Sequence, residues 1–124
     1  MPESTIERFK ELREELNKIV QDYANRDIKR FMSIDTNAYR AGVLPSKTKE
    51  LLGLVSSFVL RCDDCVLYHL MRCNEEGVTD EELIEALTIG LVVGGSITIP
   101  HLRCALKAWD EVRKKPREKE RRNE

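Results

Sequence analysis

Cys62-Asp63-Asp64-Cys65 and the His69 that follows are the residues whose types and spacing carry chemistry. Two cysteines at i, i+3 on a helical first turn put both sulfurs on one face, close enough to form a strained, reducible disulfide. A Cys62 at the helix N-terminus meets unpaired amides and the positive end of the dipole, which favour a thiolate. His69 lies one turn beyond Cys65, so its imidazole can reach the Cys65 sulfur and accept its proton. Two thiols and an adjacent base make a minimal dithiol redox centre, in which one cysteine attacks and the other resolves the product by thiol–disulfide exchange.

The elements around this motif read as helices. Ser4, three residues before Glu7, has the capping-box pattern, and Phe9, Leu12, Leu16, Ile19, Val20 and Tyr23 follow amphipathic spacing to about Asn25. Arg26 to Arg40 is a second helix. Leu44-Pro45-Ser46 marks a turn, with Ser46 as cap and Glu50 in the first turn of the next helix. From Lys47 to Glu76 there is no proline, and the stretch is too long for one globular helix. The polar run Arg61-Cys62-Asp63-Asp64 is the expected break, with Cys62 or Asp63 opening a helix that stops at Gly77. Thr79 and Glu82 form another capping box for a helix to Gly94. Gly94-Gly95 turns the chain into a last helix, Ser96 to Arg113, kinked or begun near Pro100. Nothing reads as strand.

These elements amount to an all-α, single domain of about six helices over residues 1–115, followed by a charged, solvated tail over 116–124. The apolar Ala86 to Ile99 segment is expected as a central buried hairpin with the dithiol helix, and the first helix is expected to pack across a neighbouring subunit.

Composition narrows the function classes. In 124 residues the aromatic share is only 6%, which fits an aliphatic helical core. Lys plus Arg number 21 and Asp plus Glu 22, for a formal net charge of −1, so the basic surplus that nucleic acid asks for is missing. Ala86 to Leu102 carries no charged residue, but it holds three glycines and a proline and falls short of the roughly 20 residues of a spanning helix. No apolar signal segment follows Met1. The expectation is a cytoplasmic protein without nucleic-acid or membrane partners, whose thiols are kept reduced. Four cysteines there suggest redox catalysis or metal before a structural disulfide framework. Cys62, Cys65, His69 and Cys73 look like four metal ligands, yet they rise roughly 16 Å along one helix, too far apart for one tetrahedral ion. No metal is expected.

Lys47-Thr48-Lys49-Glu50-Leu51-Leu52, then Cys62-Asp63-Asp64-Cys65, then His69, resembles the carboxymuconolactone decarboxylase superfamily, and within it the alkylhydroperoxidase-D-like branch. That branch is marked by a glutamate about twelve residues before a Cys-x-x-Cys-x-x-x-His motif, the spacing of Glu50 and Cys62. Glu76-Gly77, the Thr79-Asp80-Glu81-Glu82 helix start and Gly94-Gly95 also match, so the resemblance spans roughly residues 40 to 110. It implies an all-helical fold assembled as a homo-trimer or homo-hexamer. It implies a thiol-dependent hydroperoxide reductase, an antioxidant peroxidase with a hydroperoxide substrate. No bound cofactor is implied; an external dithiol or lipoyl-type electron donor recycles the thiols. Carried over, Cys65 is the attacking thiolate, Cys62 the resolving thiol, and His69 with Glu50 the proton relay. Asp63-Asp64 replaces a Ser-His pair between the cysteines of the well-studied peroxidases, and two carboxylates there disfavour a thiolate.

Other readings remain open. From a different class comes a non-catalytic, redox-responsive helical scaffold. A lyase-like small-molecule enzyme of the superfamily, using Glu50 and His69 as base and acid, is the third; decarboxylase members lack the dithiol. Glu50 also reads as a solvated first-turn acid. Cys73 and Cys104 read as small buried hydrophobes, His101 as a hydrogen-bonded interior histidine, and Tyr68 as packing or as a pocket hydroxyl.

Overall fold

The computed structural model describes residues 5–114. Six helices follow in order: α1 Thr5–Tyr23, α2 Arg26–Ala38, α3 Ser46–Val59, α4 Asp63–Glu75, α5 Asp80–Gly94 and α6 Ile99–Arg113, with a 3₁₀ turn Ser96–Thr98 ahead of α6. No strand occurs among the described residues. The capping role of Ser4, the domain boundary at 115–116 and the charged tail lie outside the described residues.

The helix ends follow local chemistry. Asn25 caps α2 through a bond from the Ile28 N–H at 2.8 Å. Thr79 and Glu82 close the expected capping box on α5, each side chain accepting from the other's backbone N–H. α4 gives way to a turn in which Gly77 has φ 81°, where a side chain would be strained. Pro100 sits in the first turn of α6, where its missing N–H costs no helical bond. One cap differs from expectation. Ser46 is already helical, Pro45 holds the cap position, and no side chain caps α3. Glu50 therefore lies beyond the first turn and is only 1% exposed, which removes its reading as a solvated acid.

The core is a stack centred on α3 and α4. Leu54 and Phe58 of α3 meet Val66, Leu70 and Cys73 of α4; Leu83 and Leu87 of α5 and Ala105, Ala108 and Trp109 of α6 complete it, with Ile6 of α1 at the edge. α5 packs on α3 and α6 packs on α4. The expected hairpin of residues 86–99 with the dithiol helix is thus not formed. Gly90 lets α5 approach α3 so closely that a Cβ there would stand 2.6 Å from Phe58 Cδ1. Only that face of α5 is covered. The segment is apolar nearly all round, so Ile89, Val92, Val93 and Ile97 are exposed in the single chain. α2 has no buried residue, and its Phe31 and Ile34 face outward.

Candidate functional site

The turn between α3 and α4 builds the dithiol. Arg61 adopts φ 62°, a left-handed conformation rare for a residue with a side chain. It reverses the chain so that Cys62 becomes the N-cap of α4. The Cys62 sulfur accepts the Cys65 N–H at 3.4 Å, as a serine oxygen would at a conventional cap. Both thiols are free, Cys62 half-buried and Cys65 exposed.

Behind them lies a buried acid–base pair. Glu50 Oε2 is 2.9 Å from His69 Nδ1, joining the middle of α3 to the middle of α4. The other carboxylate oxygen stands 3.4 Å from Arg72 Nε, and Arg72 also pairs with Glu75 and Glu76. A buried carboxylate persists only when so partnered. With Nδ1–H donating to Glu50, His69 Nε2 is left to accept, and the Tyr39 hydroxyl lies 3.4 Å from it. Tyr39 and Tyr68 flank the imidazole, with ring centroids at 5.1 Å and 5.2 Å. The Arg13 guanidinium sits 4.3 Å above the Tyr68 ring. Tyr68 thus both packs and lines a cavity.

That cavity, about 520 Å³, has Cys65, His69, Tyr68 and Tyr39 on its wall. Phe9, Leu12 and Leu16 of α1 supply the apolar side, while Asp35 and Asp64 bring carboxylates. Cys65 is pushed up to about 11, first by its side-chain hydrogen bond with Cys62, then by partial burial and by the charges of Cys62, Asp64 and Asp35. Asp63 is engaged elsewhere, pairing with His101 Nδ1 of α6 at 2.8 Å. Burial, then Asp35 and Glu50, raise the Tyr39 phenol.

Of the four expected site residues, Glu50 joins His69 directly, and Cys62 joins Cys65. Cys65 and His69 share the cavity wall, with both ring nitrogens of His69 directed to Glu50 and Tyr39. His101 is hydrogen-bonded as expected but half-buried at the surface rather than interior. Cys73 is a core residue, and burial pushes its thiol up to about 12. Cys104 is exposed, contrary to the expectation of a buried hydrophobe, because α6 turns Ala105 and Ala108 inward instead. Among the described residues, no group of three or more His, Cys, Asp or Glu side chains is placed to hold a metal ion, and no helix is long and apolar enough to cross a membrane.

Tyr39 and Gly53 were not singled out by their sequence pattern. Gly53 lies one turn after Glu50 on the same face of α3. A Cβ there would stand 2.7 Å from His69 Cε1 and 2.8 Å from the Tyr39 hydroxyl. Its absence is what lets the imidazole and phenol lie against α3. A glycine at i+3 from a candidate acid is the available sequence signal for a ring packed there.

Fold and site together define a helical protein of the carboxymuconolactone decarboxylase class. The model of the carboxymuconolactone decarboxylase family matches residues 28–110, and the chain belongs to that family. A Thermotoga maritima protein of this family, whose name carries a suggested part in antioxidative response, is 56% identical in sequence. It aligns with a TM-score of 0.83 over 86% of this chain and 91% of its own. A Legionella pneumophila family member is 25% identical with a TM-score of 0.78, over 89% of this chain and 98% of its own. An uncharacterised Cupriavidus necator protein is 32% identical over 64% of this chain and 71% of its own length.

Proposed function

We propose that the protein is a thiol-dependent hydroperoxide reductase that runs on the Cys62/Cys65 pair and is recycled by an external dithiol. The observation that carries this reading is the buried Glu50–His69 pair at 2.9 Å behind a free Cys-x-x-Cys at a helix start. The suggested antioxidative part of the Thermotoga relative supports it. Cys65, exposed at the cavity, attacks the terminal peroxide oxygen. With its thiol near 11, only about one molecule in ten thousand is ionised at neutral pH, so the step needs a base. His69 accepts the proton at Nε2 by way of the Tyr39 hydroxyl, and Glu50 steadies the resulting imidazolium. Sulfur then bonds to oxygen, the O–O bond breaks, and an alcohol leaves Cys65 as a sulfenic acid. The Cys62 sulfur displaces that hydroxyl as water and closes the disulfide, which the external dithiol reduces.

The test is hydroperoxide consumption with a dithiol donor, in the wild type and in Cys65→Ser. Turnover that vanishes with Cys65 supports the reading. Wild-type protein that consumes no peroxide, while its thiols remain titratable, contradicts it. Chemistry that survives loss of both cysteines points to acid–base work by Glu50 and His69 instead.

A further inference from the structure

We propose that Tyr39 is the general acid of the peroxide step, delivering its phenolic proton to the oxygen that leaves as the O–O bond breaks. This rests on the reading of Cys65 as the attacking thiol. Alkoxide is a poor leaving group, so an unassisted break is slow and a positioned proton accelerates it. Other charged or titratable side chains also line the cavity. Arg13 is committed to the Tyr68 ring, and a guanidinium does not give up its proton. Asp35 and Asp64 are carboxylates, acceptor-only when ionised. His69 meets Tyr39 at Nε2, so a proton leaving the imidazole for the cavity passes through the phenol.

Tyr39 has what the role demands. It lies on the same cavity wall as Cys65. Its hydroxyl is 3.4 Å from His69 Nε2, and His69 is anchored by Glu50 at 2.9 Å. Burial and the nearby carboxylates of Asp35 and Glu50 keep the phenol protonated, as a donor must be at neutral pH. The missing Cβ of Gly53 makes the space its hydroxyl occupies.

The step balances. The Cys65 proton reaches His69 Nε2 through the Tyr39 hydroxyl, so the thiolate faces an imidazolium–phenol chain. A sulfur lone pair forms the S–O bond to the terminal peroxide oxygen, the O–O pair departs on the alkoxide, and Tyr39 protonates it. Tyr39 regains its proton from His69 Nε2. Sulfur is oxidised by two electrons to the sulfenic acid, and the peroxide is reduced to the alcohol.

The test compares two oxidants in single-turnover oxidation of Cys65, followed by mass, in the wild type and Tyr39→Phe. tert-Butyl hydroperoxide expels a basic alkoxide, whereas peracetic acid expels a weakly basic carboxylate that needs no proton. Tyr39→Phe is expected to slow the hydroperoxide reaction by about thirtyfold more than the peracid reaction. Loss of a merely structural contact, or of thiol activation alone, slows both alike, and that result overturns the proposal. So does a variant as fast as wild type with both oxidants. In either case a reactive wild type leaves the peroxidase reading standing. A wild type oxidised by peracid but inert to the hydroperoxide overturns that reading and this proposal together.

Discussion

Adding one methyl group at Gly53 separates the stability of this fold from its chemistry. In the interior of α3, Gly→Ala removes a helix penalty of about 1 kcal/mol. The new Cβ, however, would lie 2.7 Å from His69 Cε1, 2.9 Å from Nε2 and 2.8 Å from the Tyr39 hydroxyl. Ordinary contact needs roughly 3.5 Å or more, so the ring and the phenol must retreat by about 0.7 Å. His69 is tethered to Glu50 and flanked by two tyrosines, so its retreat strains the core. Overpacking of this kind costs about 1–3 kcal/mol. The two effects largely cancel, for a net destabilisation of about 0–2 kcal/mol. Reactivity has no such offset, because displacement of catalytic groups by about 1 Å costs on the order of a hundredfold. Denaturant unfolding and single-turnover peroxide reduction should therefore diverge. Gly53→Ala is expected to stay folded with the wild-type complement of titratable thiols while its peroxide rate falls at least about tenfold. A variant equally stable and equally fast would refute the view that His69 and Tyr39 are positioned against the bare α3 backbone.

Other perturbations probe the same site and its surroundings. Cys62→Ser should complete one turnover and stall as a sulfenic acid trapped by dimedone, whereas Cys65→Ser should consume no peroxide. Alkylation of Cys65 should rise with pH toward a midpoint near 11. Asp64→Asn and Asp35→Asn should each move that midpoint down by about a few tenths of a unit. Asp63→Asn, whose carboxylate is paired with His101, should move it less. The same raised thiol binds its proton more tightly in the folded than in the unfolded chain. Folding stability should therefore fall as pH rises from about 9 to about 11, and Cys65→Ser should flatten that fall in urea titrations. The exposed apolar faces of α2 and α5 predict a homo-oligomer. Sedimentation at micromolar concentration should show it, and Val93→Glu should shift it toward smaller species; a wild-type monomer would contradict this.

What was legible in the sequence was what helical periodicity encodes. Cys62 caps the helix that carries Cys65 and His69, so register alone places them near one another; that the ring nitrogens meet Glu50 and Tyr39 rather than the Cys65 sulfur is not legible in it. The break at Arg61–Asp64 and the Thr79 cap were legible because capping chemistry is local. Glu50 is singled out by the family resemblance rather than by periodicity, and its burial is not legible, since that depends on α4 folding back with Arg72 and His69 to partner the carboxylate. Tyr39 arrives from α2 through space, thirty positions from His69, and no periodicity links the two. The 86–99 segment misled because apolarity reports that a surface seeks cover without saying what covers it. α3 covers one face, and Ile89, Val92 and Val93 stay open. Asp63 and Asp64, adjacent in sequence, point to different neighbours, one to His101 and one to the cavity, as helical geometry demands of adjacent positions.

The most direct measurement is intact mass with peptide mapping before and after one equivalent of organic hydroperoxide. The account predicts a product about two mass units lighter, with a Cys62–Cys65 disulfide within one chain that a dithiol reverses. A chain left unoxidised, bridges only between chains, or a Cys65–Cys73 pairing would contradict it.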